Sequence, residues 1–389
     1  MLSPFYLCAF VWNLAHGMTN MLVPLYALEL GMSGVRIGSL VALPVVLQLV
    51  FNLIGGAYVD RLGAKNILYA SCCASVIASS VFVVSQSYAG LMLGQCLFVL
   101  SRASFWPANW SLGSQLPGDR SRNMGRLNSI TNAGQILGTA AAGLMIGALG
   151  YRSSFWVAAL DGLVAFLFTA AIVYSRPAHK GSRVGVVATY RALAGMRPMY
   201  FAMACGFISV LPFTITSSFG AILLVSDGYS SGETGWLLTL RAIGAIFAGV
   251  AMAQWLRSPF DRRVPAWCCV AIAAGMGLVS AFENPWMIGA SLFLLGVGSG
   301  LVSVYFQLLI SAVSSSAQRG SAMSYGGVGW NLSNMSAPLA MGAFMDAVGV
   351  HGGFYLMGLM LLAFAAALVR LYRWSFPPGT PGESARDSR

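Results

Sequence analysis

Gly56-Ala-Tyr-Val-Asp60-Arg61-Leu-Gly63-Ala-Lys65 decides the fold class. It is a glycine-spaced, charge-dense hairpin between two apolar runs, in a chain with only 8% charged residues. Charge crowded into short loops suits a membrane protein, because each loop joins two hydrocarbon-spanning helices and selects a side of the bilayer. Of the 389 residues, 57% are apolar, and the mean hydropathy is +0.74. A crossing takes about 20 apolar residues. The sequence predicts twelve: 4–28, 37–59, 66–87, 89–113, 126–149, 152–174, 199–225, 233–256, 264–282, 285–312, 322–346 and 352–374. No Lys or Arg precedes the first run, and that run is too long for a cleaved leader, so it is expected to persist as a span.

Charge sets the expected orientation. All but four of the 22 Lys and Arg fall on one side of this arrangement; Arg36 and Arg152 fall opposite, and Arg102 and Arg241 lie within spans. The positive-inside rule then predicts cytoplasmic termini and a cytoplasmic 175–198 loop. A net charge of +11 is explained by this topology, and no nucleic-acid partner is expected. The seven cysteines sit in apolar runs without CxxC spacing and read as packing residues, not as a metal site or disulfide frame. No phosphate-cradling glycine loop is present, so neither cofactor nor nucleotide is expected.

The chain repeats itself. Gly34-Val-Arg-Ile-Gly38, opening the second span, echoes Ser231-Gly-Glu-Thr-Gly235, opening the eighth. Arg120, Met124, Gly143, Gly150 and Phe155 correspond to Arg319, Met323, Gly342, Gly349 and Phe354 at a constant offset. Six spans separate the copies, an even number, so the halves run in parallel, unlike an inverted repeat. The expected domains are a six-helix bundle at 1–174, a cytoplasmic linker at 175–198, a second bundle at 199–374 and a disordered cytoplasmic tail at 375–389. The third, sixth, ninth and twelfth spans carry little polarity and are expected to face lipid. The others carry the amides, His, Arg, Tyr and Trp expected around a wettable centre.

On these residues the chain resembles the major facilitator superfamily over essentially its whole length. The family's hairpin G-x-x-x-D-[RK]-x-G-[RK]-[RK] is matched by Gly56, Asp60, Arg61, Gly63 and Lys65, while Ala64 removes one basic residue. The resemblance implies an all-α membrane fold of two parallel six-helix bundles, working by alternating access. It also implies a gate, with Asp60 docked on the start of the eleventh span around Arg319 to Ala322. The alternative is a plain topogenic charge cluster. In either case Gly63 provides a tight turn and Gly56 a close helix approach. The second-half counterpart, Ala253-Gln-Trp-Leu-Arg257, lacks the pattern.

Two further likenesses point to proton antiporters of that family. Arg102 resembles their fourth-span arginine, with Phe105-Trp106 where Gln-Gly is usual. Gly134-x-x-x-Gly138-Thr139-x-x-Ala142-Gly143 resembles GxxxGPxxGG, with Thr139 for Pro and Ala142 for Gly. Small residues four apart still permit close helix packing.

Intramembrane charges cost about 2.5 to 3.5 kcal/mol each on insertion scales and mark candidate function. Arg102 shares a helical face with Trp106 and Asn109, suiting an anion contact or proton coupling; a structural clamp on carbonyls is the alternative. Arg241, opposite Pro44 in the repeat, suits a carboxylate or phosphate, or else pairs with Glu233 or Asp227. Burial favours the protonated form of Asp161, which suits proton coupling, although a packing role is the preferred reading. The first span presents Asn13, His16 and Asn20 on one stripe, with His16 a possible proton carrier. Gln48 and Asn52, Asn132 and Gln135, Tyr305, and Asn331 with Asn334 complete the expected substrate-binding lining.

The expected function is secondary active transport of a small organic, anionic solute across a bacterial inner membrane, with protons as coupling ion. Export is the leading direction and import or facilitated diffusion the alternative. A monomer is expected, since one chain holds both halves. An integral-membrane enzyme is the rival class, but three scattered histidines give it no catalytic cluster.

Overall fold

The computed structural model describes residues 3–51, 62–117, 120–173, 191–252, 256, 260–314 and 319–377. Of the expected features, Asn52, Gly56, Asp60, Arg61, most of the 175–198 segment and the tail from 378 lie outside them.

Among the described residues, nine helices are long and apolar enough to cross a membrane. Two of these run Asn123–Ala170 and Ala322–Ser375, 48 and 54 residues. A straight helix of that length would measure about 70–80 Å, against a hydrocarbon core of about 30 Å. Each is broken at a glycine in the left-handed region, Gly150 (φ 75°) and Gly349 (φ 78°), so each makes two crossings. One more crossing comes from Pro4–Glu29, whose Asn13, His16 and Asn20 dilute its apolarity.

Twelve membrane-crossing helices result among the described residues, and we number them in chain order. They are α1 Pro4–Glu29, α2 Gly34–Phe51, α3 Ala64–Val84, α4 Tyr88–Gln115, α5 120–149 and α6 151–170. Then follow α7 Arg197–Ser226, α8 Ser231–Met252, α9 Arg263–Ala281, α10 Pro285–Val313, α11 319–348 and α12 350–375. Helix α7 contains a π turn at Thr216–Gly220, and α8 ends in another at Ala248–Met252.

The repeat is visible in the backbone itself. Gly150 and Gly349 occupy equivalent positions, as do Gly31 and Gly228, and all four have positive φ. An L side chain there costs about 1–2 kcal/mol, so the turn dictates the residue in both copies. Gly63 (φ 86°) caps α3 in the same way.

The residues pack as two compact units. The first comprises Met1–Lys180, Thr216–Thr239 and Pro338–Asp346, and the second Gly181–Ile215, Leu240–Ala337 and Ala347–Arg389.

In the first unit, α1 lies hard against α5. A Cβ on Gly17, Gly134 or Gly138 would collide with the carbonyl of Gln135, Phe10 or Leu14 respectively. In a bilayer, apolar burial does not favour one helix partner over lipid, so such close backbone contact is what drives association. The glycine pattern of the fifth span is therefore a helix-packing surface. Around it, Phe5, Trp12, Leu68, Phe105, Leu127 and Ile172 form a buried core. A polar thread crosses that core: Trp12 Nε1 donates to Ser101 Oγ (3.2 Å), and Ser101 Oγ to the Ser71 carbonyl (2.7 Å).

The second unit uses the same devices. Gly244, Gly296 and Gly300 bring α8 and α10 together, and Gly329 of α11 meets the Met203 carbonyl of α7. Trp330 Nε1 donates to Ser209 Oγ (3.0 Å), and Cys269 Sγ donates to the Leu361 carbonyl (3.2 Å).

Helices α3, α6, α9 and α12 expose large apolar side chains, clearest as the stripe Trp156, Leu160, Leu163 and Leu167 on α6. Helix α8 does so too, through Trp236, Ile243, Ile246 and Val250, so lipid-facing surface extends beyond the four helices expected from polarity.

Candidate functional site

Four rings stack in the first unit. Phe105 lies on Trp12 (3.8 Å between centroids), Trp12 on His16 (5.3 Å) and His16 on Phe98 (5.2 Å). They interleave α1 and α4 because 98, 101, 102 and 105 lie on one face of α4, while 12 and 16 do so on α1. The same face of α4 carries Arg102. Its guanidinium donates to Gln48 Oε1 of α2, and its buried Nε has no hydrogen-bond partner among the described residues. His16 Nε2 lies 3.4 Å from Asn20 Nδ2, which can only donate, so Nε2 accepts and the proton belongs on Nδ1. That Nδ1 is buried and also lacks a partner among the described residues.

Beside this cluster is a cavity of about 30 Å³, lined by Asn20, Pro24, Val41, Gln95, Phe98, Val99, Arg102, Ser217 and Ser218. It has room for about two waters. An organic solute reaches Arg102 only if the surrounding helices separate.

The structure thus brings together His16, Asn20, Gln48 and Arg102, which come from three helices. It adds Gln95, Ser217 and Ser218, which the sequence did not single out. The two serines sit on the π turn of α7, and such turns recur at functional sites. Their signal was local, a Ser-Ser pair inside an apolar run, and indistinguishable from packing serines elsewhere.

Other expected lining residues have different surroundings. Asn13 is 1% exposed and donates to the Ala9 carbonyl of its own helix (2.8 Å). Trp106 packs edge-on to Phe105 and against Trp110. Asn109 is fully buried, with both amide atoms unpartnered among the described residues. Asn132 and Gln135 are half-buried on α5, where the Gln135 carbonyl faces Gly17. Asp161 is half-buried on α6, with one carboxylate oxygen buried and without a partner among the described residues.

In the second unit, the Arg241 guanidinium lies over the Phe213 ring at 5.0 Å, within cation–π range. The Glu233 carboxylate instead takes the Ser230 N–H (2.9 Å) and hydroxyl (2.7 Å) at the start of α8. Asn334 Oδ1 accepts from Thr214 (2.6 Å), and Asn331 donates to the Gly327 carbonyl (3.3 Å). Tyr305 is fully buried, with its hydroxyl unpartnered among the described residues.

Of the hairpin, Gly63 and Lys65 are described. Lys65 Nζ donates to the Ala170 (3.0 Å) and Ile172 (2.6 Å) carbonyls, closing the end of α6. A wider cavity of about 610 Å³ lies at the Gly150 break, lined by Tyr26, Glu29, Gln86, Leu149, Tyr151 and Arg152 among others; it includes none of the expected site residues. No group of three or more metal-ligating side chains occurs among the described residues.

The sequence profile of the Major Facilitator Superfamily matches residues 5–219 and 199–388, together nearly the whole chain. The chain belongs to the Major Facilitator Superfamily. Its twelve helices form the two parallel six-helix repeats of that fold, and it is a multi-pass membrane transporter.

Among curated relatives, quinolone resistance protein NorA of Staphylococcus aureus (strain COL) is 22% identical over 379 residues, 94% of this chain and 95% of NorA. The class D tetracycline resistance protein of Salmonella ordonez is 25% identical over 352 residues, 87% of this chain and 88% of that protein. Among solved structures, nucleoside transporter NupG superposes with a TM-score of 0.79 at 13% identity, covering 95% of this chain and 98% of that one. A bacterial homolog of the human lysosomal transporter Spinster, inward-facing and occupied, gives 0.76 at 14%, covering 96% of each. At these identities the structural likenesses establish the fold alone.

Proposed function

We propose that this superfamily member exports a small organic anion by proton antiport, with Arg102 as its principal anion contact. One observation carries the reading: a guanidinium sits within a membrane-spanning helix, beside a small polar cavity, held by a neutral amide and with a buried N–H unpartnered among the described residues. A charge placed there is costly, and a carboxylate or phosphate seated on its fork would offset that cost. Asn20, His16, Gln48, Ser217 and Ser218 surround the solute. Two relatives named for drug resistance support export over import. Protons are the coupling ion, and the termini and basic loops face the cytoplasm of a bacterial inner membrane. The hairpin 56–65 gates the cytoplasmic side, and the transporter is a monomer.

The test is flux of a panel of organic anions, neutral solutes and cations in vesicles, with and without an imposed pH gradient. For the anion that is carried, Arg102→Met should weaken apparent affinity by about 10- to 150-fold, the worth of a charge-assisted hydrogen bond of about 1.5–3 kcal/mol. Arg102→Lys keeps the charge, loses the fork and should recover only part of it. Unchanged affinity in both variants, or carriage of cations alone, refutes the assignment.

A further inference from the structure

The glycine motif that repeats in the sequence is also a contact surface in the structure. On α2, Gly34 and Gly38 meet α11: a Cβ on Gly38 would strike the Pro338 carbonyl, and one on Gly342 would strike the Gly34 carbonyl. On α8, the equivalent Ser231 and Gly235 meet α5. There a Cβ on Gly143 would strike the Ser231 carbonyl, and one on Gly235 would come within 3.2 Å of the Thr139 carbonyl. Residue for residue the two contacts are the same, since 34 and 38 match 231 and 235, while 338 and 342 match 139 and 143.

In one respect they differ. The Asp346 carboxylate accepts the Gly34 N–H at 2.5 Å and the Val35 N–H at 2.9 Å. Ser33 Oγ takes the Arg36 N–H at 3.4 Å, so three of the free donors at the start of α2 are matched, two of them by another helix. The residue equivalent to Asp346 in the first repeat is Gly147, which has no side chain to do this. The start of α8 is capped from within, by Glu233 on Ser230.

We infer that Asp346 is a positioning residue of the transport cycle: its carboxylate latches α11 onto the amino end of α2 and holds closed the face opposite the basic loops. This rests on the alternating-access reading above. Both N–H groups are open to water once the helices part, so the latch is a reversible clasp whose loss leaves nothing buried and unpaired.

The experiment places a reporter cysteine at Val41, on the Arg102 cavity, and measures its labelling by an impermeant maleimide added at the outer face of right-side-out vesicles. The parent chain, whose seven cysteines lie in apolar helices, gives the background. Asp346→Asn keeps the shape and removes the charge, and Asp346→Ala removes both; each should raise the labelling rate about three- to thirty-fold, the range for losing a helix cap. Asp346→Glu should restore slow labelling at least in part, which a merely structural role would not require. Gly342→Val, which wedges the same contact, should mimic Asp346→Ala. Labelling of the Asn and Ala variants at the parent rate, with Gly342→Val still accelerating it, overturns the latch and leaves alternating access standing. A reporter that no variant exposes to the outer face overturns both.

Discussion

Lys65 separates two readings of the hairpin, and replacing it with alanine decides between them. The last carbonyls of a helix have no intrahelical acceptor role to play, and a lysine close by can satisfy them while complementing the negative end of the dipole. Lys65 does this for α6 through two hydrogen bonds, one of them as short as 2.6 Å. Hydrogen bonds to a charged group contribute about 1.5–3 kcal/mol when buried. Lys65 is only half-buried and its bond to Ala170 is solvent-exposed, so a net loss of about 1–2 kcal/mol is the reasonable value. For a unit of this size, that corresponds to a melting temperature lowered by about 2–8 °C. The assay is thermal unfolding of purified protein in mild detergent, run beside flux in vesicles. Lys65→Arg should retain most of the stability, because the charge persists near the same carbonyls. A melting temperature within about 1 °C of the parent refutes the cap. Flux abolished at unchanged stability would return Lys65 to the gate.

Two further outcomes follow from the packing and from Asp161. Gly138→Val places a branched side chain 2.9 Å from the Leu14 carbonyl carbon and nearer still to its oxygen, so α1 must move off α5; overpacking of this kind costs about 1–3 kcal/mol or more. The fraction of monodisperse protein after extraction should fall sharply, and a parent-like yield would show that the crossing tolerates separation. Asp161→Asn should preserve gradient-driven flux within about twofold, since an amide keeps the side chain's shape where the buried carboxylate oxygen has no partner among the described residues. Flux that no longer responds to the pH gradient would instead make Asp161 a proton carrier.

The fold was legible because the bilayer simplifies the code. Length, apolarity and loop charge locate crossings without any knowledge of packing, and the observed helices fall within a few residues of the expected runs where both are described. The repeat was legible through its glycines, because the positive φ at Gly150 and Gly349 disfavours any other residue. The candidate site was only partly legible. Asn20, His16 and Arg102 were marked by their cost in an apolar setting; Asn20 and Arg102 line one cavity, and His16 stacks on Phe98 of its wall. Asn13 was marked by the same cost, yet it folds back on its own helix. Helical spacing cannot separate these cases, because an amide satisfied by the carbonyl four residues earlier looks the same in sequence as one facing a solute. Ser217 and Ser218 were illegible for the converse reason. Serine is cheap in a membrane helix, and only the π turn re-aims it.

What the two repeats share and what they do not share divides along physical lines. The positions held in register are those the backbone dictates: the positive-φ turns at Gly31 with Gly228 and at Gly150 with Gly349, and the close helix contact at Gly143 with Gly342. The chemistry-bearing positions are not in register. His16 corresponds to Phe213, Arg241 to Pro44 and Arg102 to Ser299. Yet each unit places one guanidinium against that first-helix position or its neighbours: Arg102 from the fourth helix beside the His16 stack, and Arg241 from the second helix over Phe213. Turns and backbone contact faces recur because the duplicated fold places equivalent chain in equivalent surroundings. A solute has no such symmetry. The frame is therefore free to repeat while the residues that touch cargo, and the single carboxylate of Asp346 that biases one side, are not.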